Sequence, residues 1–194
     1  MKQASQALYA LRRLGFFQPE KAFGMSNGLT ILGIDPGSQC LGWGVVEERS
    51  GVLRLVDCGT VRPRGESFEQ RLAALFTEFS AVVTRLVPQE AAMENVFVQK
   101  NALSALKLGQ ARGVAIAACA AQKICITGYA PTIVKKSLVG SGHAEKIQVS
   151  FMVGRILGVK PDWAADAGDA LACAICHANA RRLHALAVSA REQR

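Results

Sequence analysis

The sequence predicts an α/β fold in which helices pack against a mixed, five-stranded β-sheet. Half of the 194 residues are hydrophobic and one fifth are charged, which is enough apolar material for one good core. Short apolar segments bounded by Gly or Pro alternate with longer segments that have helical spacing. In chain order they give three strands, a helix, a strand, a helix, a strand and trailing helices, which is typical of a mixed sheet with helices on its faces.

The strands are predicted from short apolar segments that end at turn residues. The first strand ends at Asp35, because Pro36 and Gly37 interrupt it. The second and third are joined by a turn at residues 49–51, which read Arg-Ser-Gly. The five predicted strands span residues 29–35, 41–47, 53–61, 91–97 and 124–129.

The helices are predicted from apolar spacing and from capping residues. Ser67, followed three residues later by Gln70, forms a capping box that starts a helix, and Pro88 follows the end of that helix. The second helix is rich in Ala. The helices after the first cover residues 101–122, 131–139, 144–157 and 163–188.

These elements predict one domain over residues 26–188, with a short tail at 189–194. Residues 1–25 lack the apolar core and cleavage pattern of a secretory signal. We expect them to be a poorly ordered N-terminal extension, compatible with an early start codon because Met25 stands just before the first strand. A targeting peptide is the alternative, since this stretch is mildly amphipathic and nearly free of acids.

The cysteines and the apolar segments indicate the compartment. All six cysteines lie in apolar stretches, which predicts buried thiols in a reducing cytosol. No apolar run reaches the length of a membrane span, so we expect a cytoplasmic protein without membrane contact. Residues 173–177 spell the C-x-x-C-H pattern of haem attachment. We expect them to be core residues instead, because they lie within an apolar helix and no second cysteine pair could complete a zinc site.

The net charge of +8 is concentrated in one part of the chain. Residues 95–161 contain nine Lys or Arg and one acid, which accounts for the whole excess, whereas the remainder is balanced. A basic chain can bind a polyanion, most commonly nucleic acid, or can carry a solvated basic surface with no partner. The uneven distribution favours a surface that binds nucleic acid.

Four carboxylates occupy positions that suit a metal site. Asp35 ends one apolar strand and Glu94 interrupts another, where a carboxylate is unfavourable unless it is paired or binds metal. Asp166 and Asp169 are three residues apart and project from one face of the last helix. If that face meets the two strands, four anions converge, and divalent cations with oxygen ligands relieve the repulsion. Two Mg²⁺ ions can then hold a phosphodiester and activate water.

Each of these acids also has a structural interpretation. An Asp at the end of a strand is commonly a turn residue, and acids at the start of a helix interact favourably with the helix dipole. Glu94 could pair with a nearby Lys or Arg. The combination of all four acids with a basic chain favours a metal-dependent nuclease.

Four motifs resemble the bacterial Holliday junction resolvases of the RuvC family, and the likeness extends over about residues 29 to 180. The motifs are GIDPGS at 33–38, ENVF at 94–97, SALKLGQARG at 104–113 and DAGDAL at 166–171. The resemblance implies an RNase H-like three-layer sandwich. It also implies a homodimer that resolves four-way DNA junctions during recombination and repair by symmetric, Mg²⁺-dependent nicking of two strands. The branch-migration motor complex is a further implied partner.

The resemblance also assigns residues. The catalytic and metal-binding set corresponds to four carboxylates here: Asp35, Glu94, Asp166 and Asp169. Two Mg²⁺ ions per subunit are expected, with Mn²⁺ as a substitute. The DNA-binding set corresponds to Phe97, Lys100, Lys135, Lys136 and Lys146. His143 is not included in the catalytic set.

The residue types suit these roles. Three of the lysines flank the Gly140–Gly142 loop, which is flexible enough to follow a phosphate backbone, although a solvated helix face is the ordinary alternative. Phe97 could stack on an unpaired base at a junction, or it could be a core residue.

Two other functions remain to be weighed. Residues 35–38, Asp-Pro-Gly-Ser, resemble the phosphate loop of actin-like ATP-handling proteins, but such proteins need two similar domains and this chain has one. A non-catalytic junction-binding module would be expected to have lost carboxylates, yet all four are present.

Overall fold

The computed structural model describes residues 28–95 and 101–192, which form a three-layer α/β sandwich. Its strands are β1 (Leu29–Asp35), β2 (Leu41–Arg49), β3 (Val52–Val61), β4 (Glu90–Glu94) and β5 (Cys125–Tyr129). Its helices are α1 (Phe68–Leu86), α2 (Ala102–Ala121), α3 (Pro131–Val139), α4 (Lys146–Leu157) and α5 (Ala165–Glu192). The predicted fold class and the order of the elements are confirmed.

The sheet is mixed, as predicted, with the strand order β3-β2-β1-β4-β5. Strands β1, β2 and β3 pair antiparallel, whereas β4 lies parallel to both β1 and β5. In the parallel register Ile34 is opposite Met93. One residue further along, Asp35 and Glu94 end their strands side by side at the same edge of the sheet.

The two faces of the sheet are covered by different helices. Leu32, Ile34 and Met93 pack in one core cluster together with residues of α1 and α2. Ile31 and Ala92 belong to a second cluster with α3, α4 and α5. Because successive side chains of a strand alternate between faces, Asp35 and Glu94 project toward the second layer, where α5 lies.

Helix α5 lies directly against β1 and β2, because glycines face it there. A Cβ atom added to Gly33 would overlap the carbonyl oxygen of Ala170, and one added to Gly42 would overlap the carbonyl oxygen of Asp166. The helix backbone therefore rests on the strand backbone with no side chain between them. This contact places the first turns of α5 next to the end of β1.

The local signals of the sequence account for most element boundaries. The capping box is confirmed: the Gln70 backbone N–H donates to Ser67 Oγ at 3.2 Å, and the Ser67 N–H donates to Gln70 Oε1 at 3.3 Å. The β2–β3 turn is confirmed as well, with positive φ at Ser50 (50°) and Gly51 (81°).

Some boundaries differ from the prediction. Helix α4 begins at Lys146 rather than at residue 144, because Glu145 and Gln148 form a second capping box. Helix α5 covers Ala165–Glu192 rather than residues 163–188. Strand β4 begins one residue early, at Glu90, and the predicted strand residues 96 and 97 lie outside the described residues.

Burial of the cysteines was predicted too broadly. Cys119, Cys173 and Cys176 are buried, but Cys40 and Cys58 are half-buried and Cys125 is exposed at the start of the edge strand β5. The C-x-x-C-H segment lies in the core, as expected. Both ring nitrogens of His177 have partners there: Nδ1 is 2.7 Å from the Tyr129 hydroxyl and Nε2 is 2.8 Å from Glu90 Oε2. Within residues 28–95 and 101–192 no helix is both long and apolar enough to cross a bilayer.

Replacing Gly33 with Ala tests the close contact of α5. The new methyl group has no space at the Ala170 carbonyl, so we expect the free energy of unfolding to fall by roughly 1–3 kcal/mol or more. Glu78→Ala is the control, because Glu78 is exposed in the middle of α1 and Ala is a good helix former. Urea unfolding followed by circular dichroism measures both. Equal stability of the two variants would show that α5 tolerates displacement.

Candidate active site

Four half-buried carboxylates meet where β1, β4 and α5 converge. Asp35 and Glu94 are fixed by the ends of two parallel neighbouring strands. Asp166 and Asp169 lie on one face in the first turns of α5, which is seated on β1 and β2. The structure thus brings together all four acids that the sequence singled out.

The acids are close enough to alter one another's protonation. Burial, and after it the negative charges of Glu94, Asp169 and Asp166, together raise the pKa of Asp35 to about 7 against the opposing charge of Lys146. Burial and the charge of Asp169 also raise the pKa of Glu94, against the opposing effect of Lys146 and Lys135. Such mutual repulsion is the electrostatic signature of a site that lacks enough positive charge.

Among the described residues, two basic side chains form salt bridges with this cluster, each with a different acid. Lys146 Nζ is 2.7 Å from Asp169 Oδ2, and this hydrogen bond raises the pKa of the lysine. Arg62 Nη2 is 3.8 Å from Asp166 Oδ2. In the described part of the chain, no Lys or Arg lies within salt-bridge distance of Asp35 or Glu94.

An open surface depression lies between two of the acids and two of the predicted DNA-binding lysines. Glu94 and Asp169 line it together with Lys135 and Lys146. Residues of α3 and α4, which bracket the Gly140–Gly142 loop, form its other wall. A group with both negative charge and metal affinity, such as a phosphodiester, suits a depression that carries carboxylates on one side and ammonium groups on the other.

The donor set fits a hard divalent cation. All four side chains offer carboxylate oxygens, which Mg²⁺, Mn²⁺ and Ca²⁺ prefer. Across residues 28–95 and 101–192, however, no three Asp, Glu, His or Cys side chains are grouped tightly enough to ligate one ion. Lys146 and Arg62 hold two of the acids at separate points, and a bound cation would therefore share Asp169 and Asp166 with them.

The other predicted residues lie farther away or cannot be placed. Lys136 is exposed in the last turn of α3 and does not line the depression. His143 is exposed, and its backbone N–H donates to Ser141 Oγ at 3.3 Å. Phe97 and Lys100 lie outside the described residues, so their DNA-binding roles stay predictions.

Three residues of the site were not found from the sequence. Arg62 follows β3 and belongs to the part of the chain whose charges balance, so the charge distribution gave no signal for it. Cys40 contacts Asp166, and burial followed by this contact raises the pKa of its thiol to about 11. Gly42 stands against Asp166 for the steric reason given above, and a glycine in an apolar strand was the one available hint.

The raised pKa of Asp35 predicts how stability depends on pH in metal-free buffer. The folded protein keeps the Asp35 proton up to about pH 7, whereas the unfolded chain loses it near the ordinary value of 3.8. The unfolded state therefore binds fewer protons between these values, and the free energy of unfolding falls as pH rises through this window. Asp35→Asn should remove part of that fall and raise stability at pH 8 by roughly 1–3 kcal/mol.

Thermal unfolding from pH 4 to 8 with a chelator measures this effect. Asp162→Asn is the matched control, because Asp162 is an exposed carboxylate in the loop before α5. Identical pH profiles for wild type and Asp35→Asn would contradict the raised pKa of Asp35.

Comparison with known proteins extends over nearly the whole fold. A family model described as crossover junction endodeoxyribonuclease RuvC matches residues 31–177, a range that contains all four carboxylates. A relative of that name from Oleidesulfovibrio alaskensis is 62% identical over 162 residues, covering 84% of this chain and 98% of the relative. Another from Nitratidesulfovibrio vulgaris is 57% identical over 163 residues, with the same coverage of 84% and 98%.

Solved structures agree with these relatives. Thermus thermophilus RuvC in complex with a Holliday junction substrate is 30% identical, with a TM-score of 0.72 over 80% of this chain and 96% of that one. The yeast mitochondrial Holliday junction resolvase Ydc2 shares the fold, with a TM-score of 0.60 at 13% identity over 79% of this chain and 80% of that one. The chain therefore belongs to the RuvC family of crossover junction endodeoxyribonucleases.

Proposed function

We propose that this chain, a crossover junction endodeoxyribonuclease by family, resolves Holliday junctions by symmetric nicking of two strands. The observation that carries the proposal is the convergence of Asp35, Glu94, Asp166 and Asp169 beside a depression lined by Lys135 and Lys146. The Thermus thermophilus relative, which was solved with a Holliday junction substrate, supports the same choice of DNA. This activity belongs to DNA recombination and repair and places the enzyme with the DNA in the cytoplasm.

We further propose that the four carboxylates hold two Mg²⁺ ions, for which Mn²⁺ can substitute. Support comes from the all-oxygen donor set and from the repulsion that raises the pKa of Asp35 and Glu94. Two such ions supply an activated water and neutralise charge on the phosphodiester when they are bound. The strand ends hold Asp35 and Glu94 rigidly, while the seating of α5 sets the positions of Asp166 and Asp169.

Lys146 has a role that follows from its contacts. Its ammonium group now bonds Asp169, in an exposed position at the mouth of the depression. When a cation shares that carboxylate, the ammonium group is available for a non-bridging oxygen of the substrate phosphate, where fixed positive charge stabilises the transition state. Lys135 lines the same depression and is placed to bind the neighbouring phosphate of the DNA backbone. We propose DNA-binding roles for Phe97, Lys100 and Lys136 on the family resemblance alone.

A homodimer is proposed because two strands must be cut together. Helix α2 supports this proposal, since Leu103 and Leu106 on it are 70% and 60% exposed. Exposed apolar residues three apart on one helix face are suited to packing against a second copy.

Association with the branch-migration motor complex is also proposed, and family membership alone supports it. An ATP-handling or non-catalytic role finds no support, because the carboxylates converge at one site.

Cleavage of a synthetic four-way junction, compared with a linear duplex of the same sequence, tests the function. We expect Mg²⁺-dependent cutting of the junction, ligatable symmetric nicks, and loss of cutting when the metal is chelated. Equal cutting of both substrates would remove the claim of junction selectivity, and cutting in the presence of chelator would remove the metal mechanism.

Charge removal at the acids tests the site. Asp169→Asn and Asp35→Asn should each lower the cleavage rate at least about 100-fold. Junction binding should be retained or tightened, because a negative charge near the DNA is removed. Asp162→Asn should cut at the wild-type rate, since this residue is exposed outside the cluster. Wild-type cleavage by either site variant would reject the catalytic assignment.

A charge on α2 tests the dimer. Leu106→Glu should shift the protein to a monomer in analytical ultracentrifugation and should convert paired nicks into single ones. Leu183→Glu is the matched control, because Leu183 is 68% exposed on the distal part of α5. A dimer that survives Leu106→Glu would place the interface elsewhere.

A further inference from the structure

We propose that Arg62 binds a DNA phosphate on the β3 side of the carboxylate cluster and so acts as a second basic contact across the site from Lys146. The inference rests on the proposed nuclease function. It adds a residue from outside the basic segment 95–161, in which the sequence placed the whole DNA-binding charge.

The sheet places Arg62 at the catalytic edge. Arg62 directly follows β3, whose last residue Val61 pairs with Leu41 at the start of β2. The neighbouring Gly42 pairs with Asp35. The end of β3 is thus two strands away from Asp35 at the same edge of the sheet. Lys146, by contrast, lines the depression beside Glu94 on β4.

The contact of Arg62 with Asp166 is too weak to be a structural anchor. The two groups are 3.8 Å apart, and the arginine side chain is 66% exposed. Exposed ion pairs of this kind contribute little to stability. Asp166 is also the one carboxylate within salt-bridge distance of Arg62 among the described residues. Most donors of the guanidinium therefore remain available, and their planar arrangement matches two oxygens of a phosphate.

The location of this pair indicates what the guanidinium is for. Asp166 and Asp169 are separated by about 4.5 Å along the helix axis, at 1.5 Å per residue. Arg62 and Lys146 therefore stand at the two ends of the acidic face of α5, and each neutralises one acid. Once a cation shares these acids, both basic groups face a site that holds a phosphodiester. A DNA strand that passes over the acids meets a positive charge on either side.

A purely local role is the competing explanation, in which Arg62 only orients Asp166. The two roles differ in a variant that lacks the Asp166 charge. If Arg62 acts through Asp166, replacing Arg62 does not change the affinity for the junction in an Asp166→Asn background. If Arg62 binds phosphate, the loss of affinity is the same in both backgrounds.

The experiment measures the affinity of the full chain for a synthetic four-way junction as a function of salt, with Ca²⁺ replacing Mg²⁺. Arg62→Gln should bind the junction severalfold more weakly than the wild type, and the magnitude of its log–log salt slope should be lower by about 1. The double variant should differ from Asp166→Asn by the same amounts. Arg62→Lys should restore the slope, because it keeps the charge.

Arg49→Gln is the matched control. Arg49 forms an equally exposed pair, 3.7 Å from Glu47 with a side chain 64% exposed, at the opposite end of β2. Arg62→Gln with the affinity and slope of Arg49→Gln would overturn the inference, and so would a loss that disappears in the Asp166→Asn background. Failure of the wild-type chain to bind the junction would instead reject the proposed function, which keeps the two failures distinct.

Discussion

The site depends on one steric constraint, the contact of the α5 backbone with the glycine backbone of β1 and β2. The carbonyl oxygen that faces Gly42 is that of Asp166 itself, so the residue that supplies a carboxylate is also the residue that touches the sheet. Buried Ala167, Ala170 and Ala174 continue this contact with small side chains. Any larger residue at the interface would lift α5 and separate Asp166 and Asp169 from the strand ends, because close-packed interiors cannot absorb the added volume.

Strand β4 shows how neighbouring groups, rather than burial, give two carboxylates of one strand opposite pKa shifts. Glu90 and Glu94 begin and end the same strand and are both half-buried. Burial alone would raise the pKa of Glu90, but the hydrogen bond from His177 and the charge of Arg181 outweigh it and lower that pKa. Burial and Asp169 raise the pKa of Glu94. One end of the strand is thus neutralised within the protein, and the other carries the carboxylate that we propose as a cation ligand.

The sequence predicted whatever depends on local patterns. The strand that ends at Asp35, the capping box at Ser67 and the carboxylate pair on α5 are each encoded within a few residues, and the structure confirms them. Strand position and helix spacing selected the same four acids that the resemblance then assigned to one site. The features that were missed depend on residues distant in the sequence. The need for glycine at position 42 comes from a helix over 120 residues away, and the exposure of Cys125 comes from the position of β5 at the edge of the sheet. Periodicity within a segment does not contain that information.

Arg62 illustrates the same limit for charge. In the sequence count, the charge of Arg62 cancels against acids such as Asp166. The residues outside 95–161 are therefore neutral in sum and give no indication of DNA binding. In space that cancellation is local and conditional, because the acid that balances Arg62 is also a proposed ligand of a divalent cation. When a cation binds Asp166, the carboxylate no longer balances the positive charge of Arg62. If Asp166 binds a cation as proposed, the positive charge available to DNA is larger than the sequence count indicates, and part of it lies beside the carboxylate cluster.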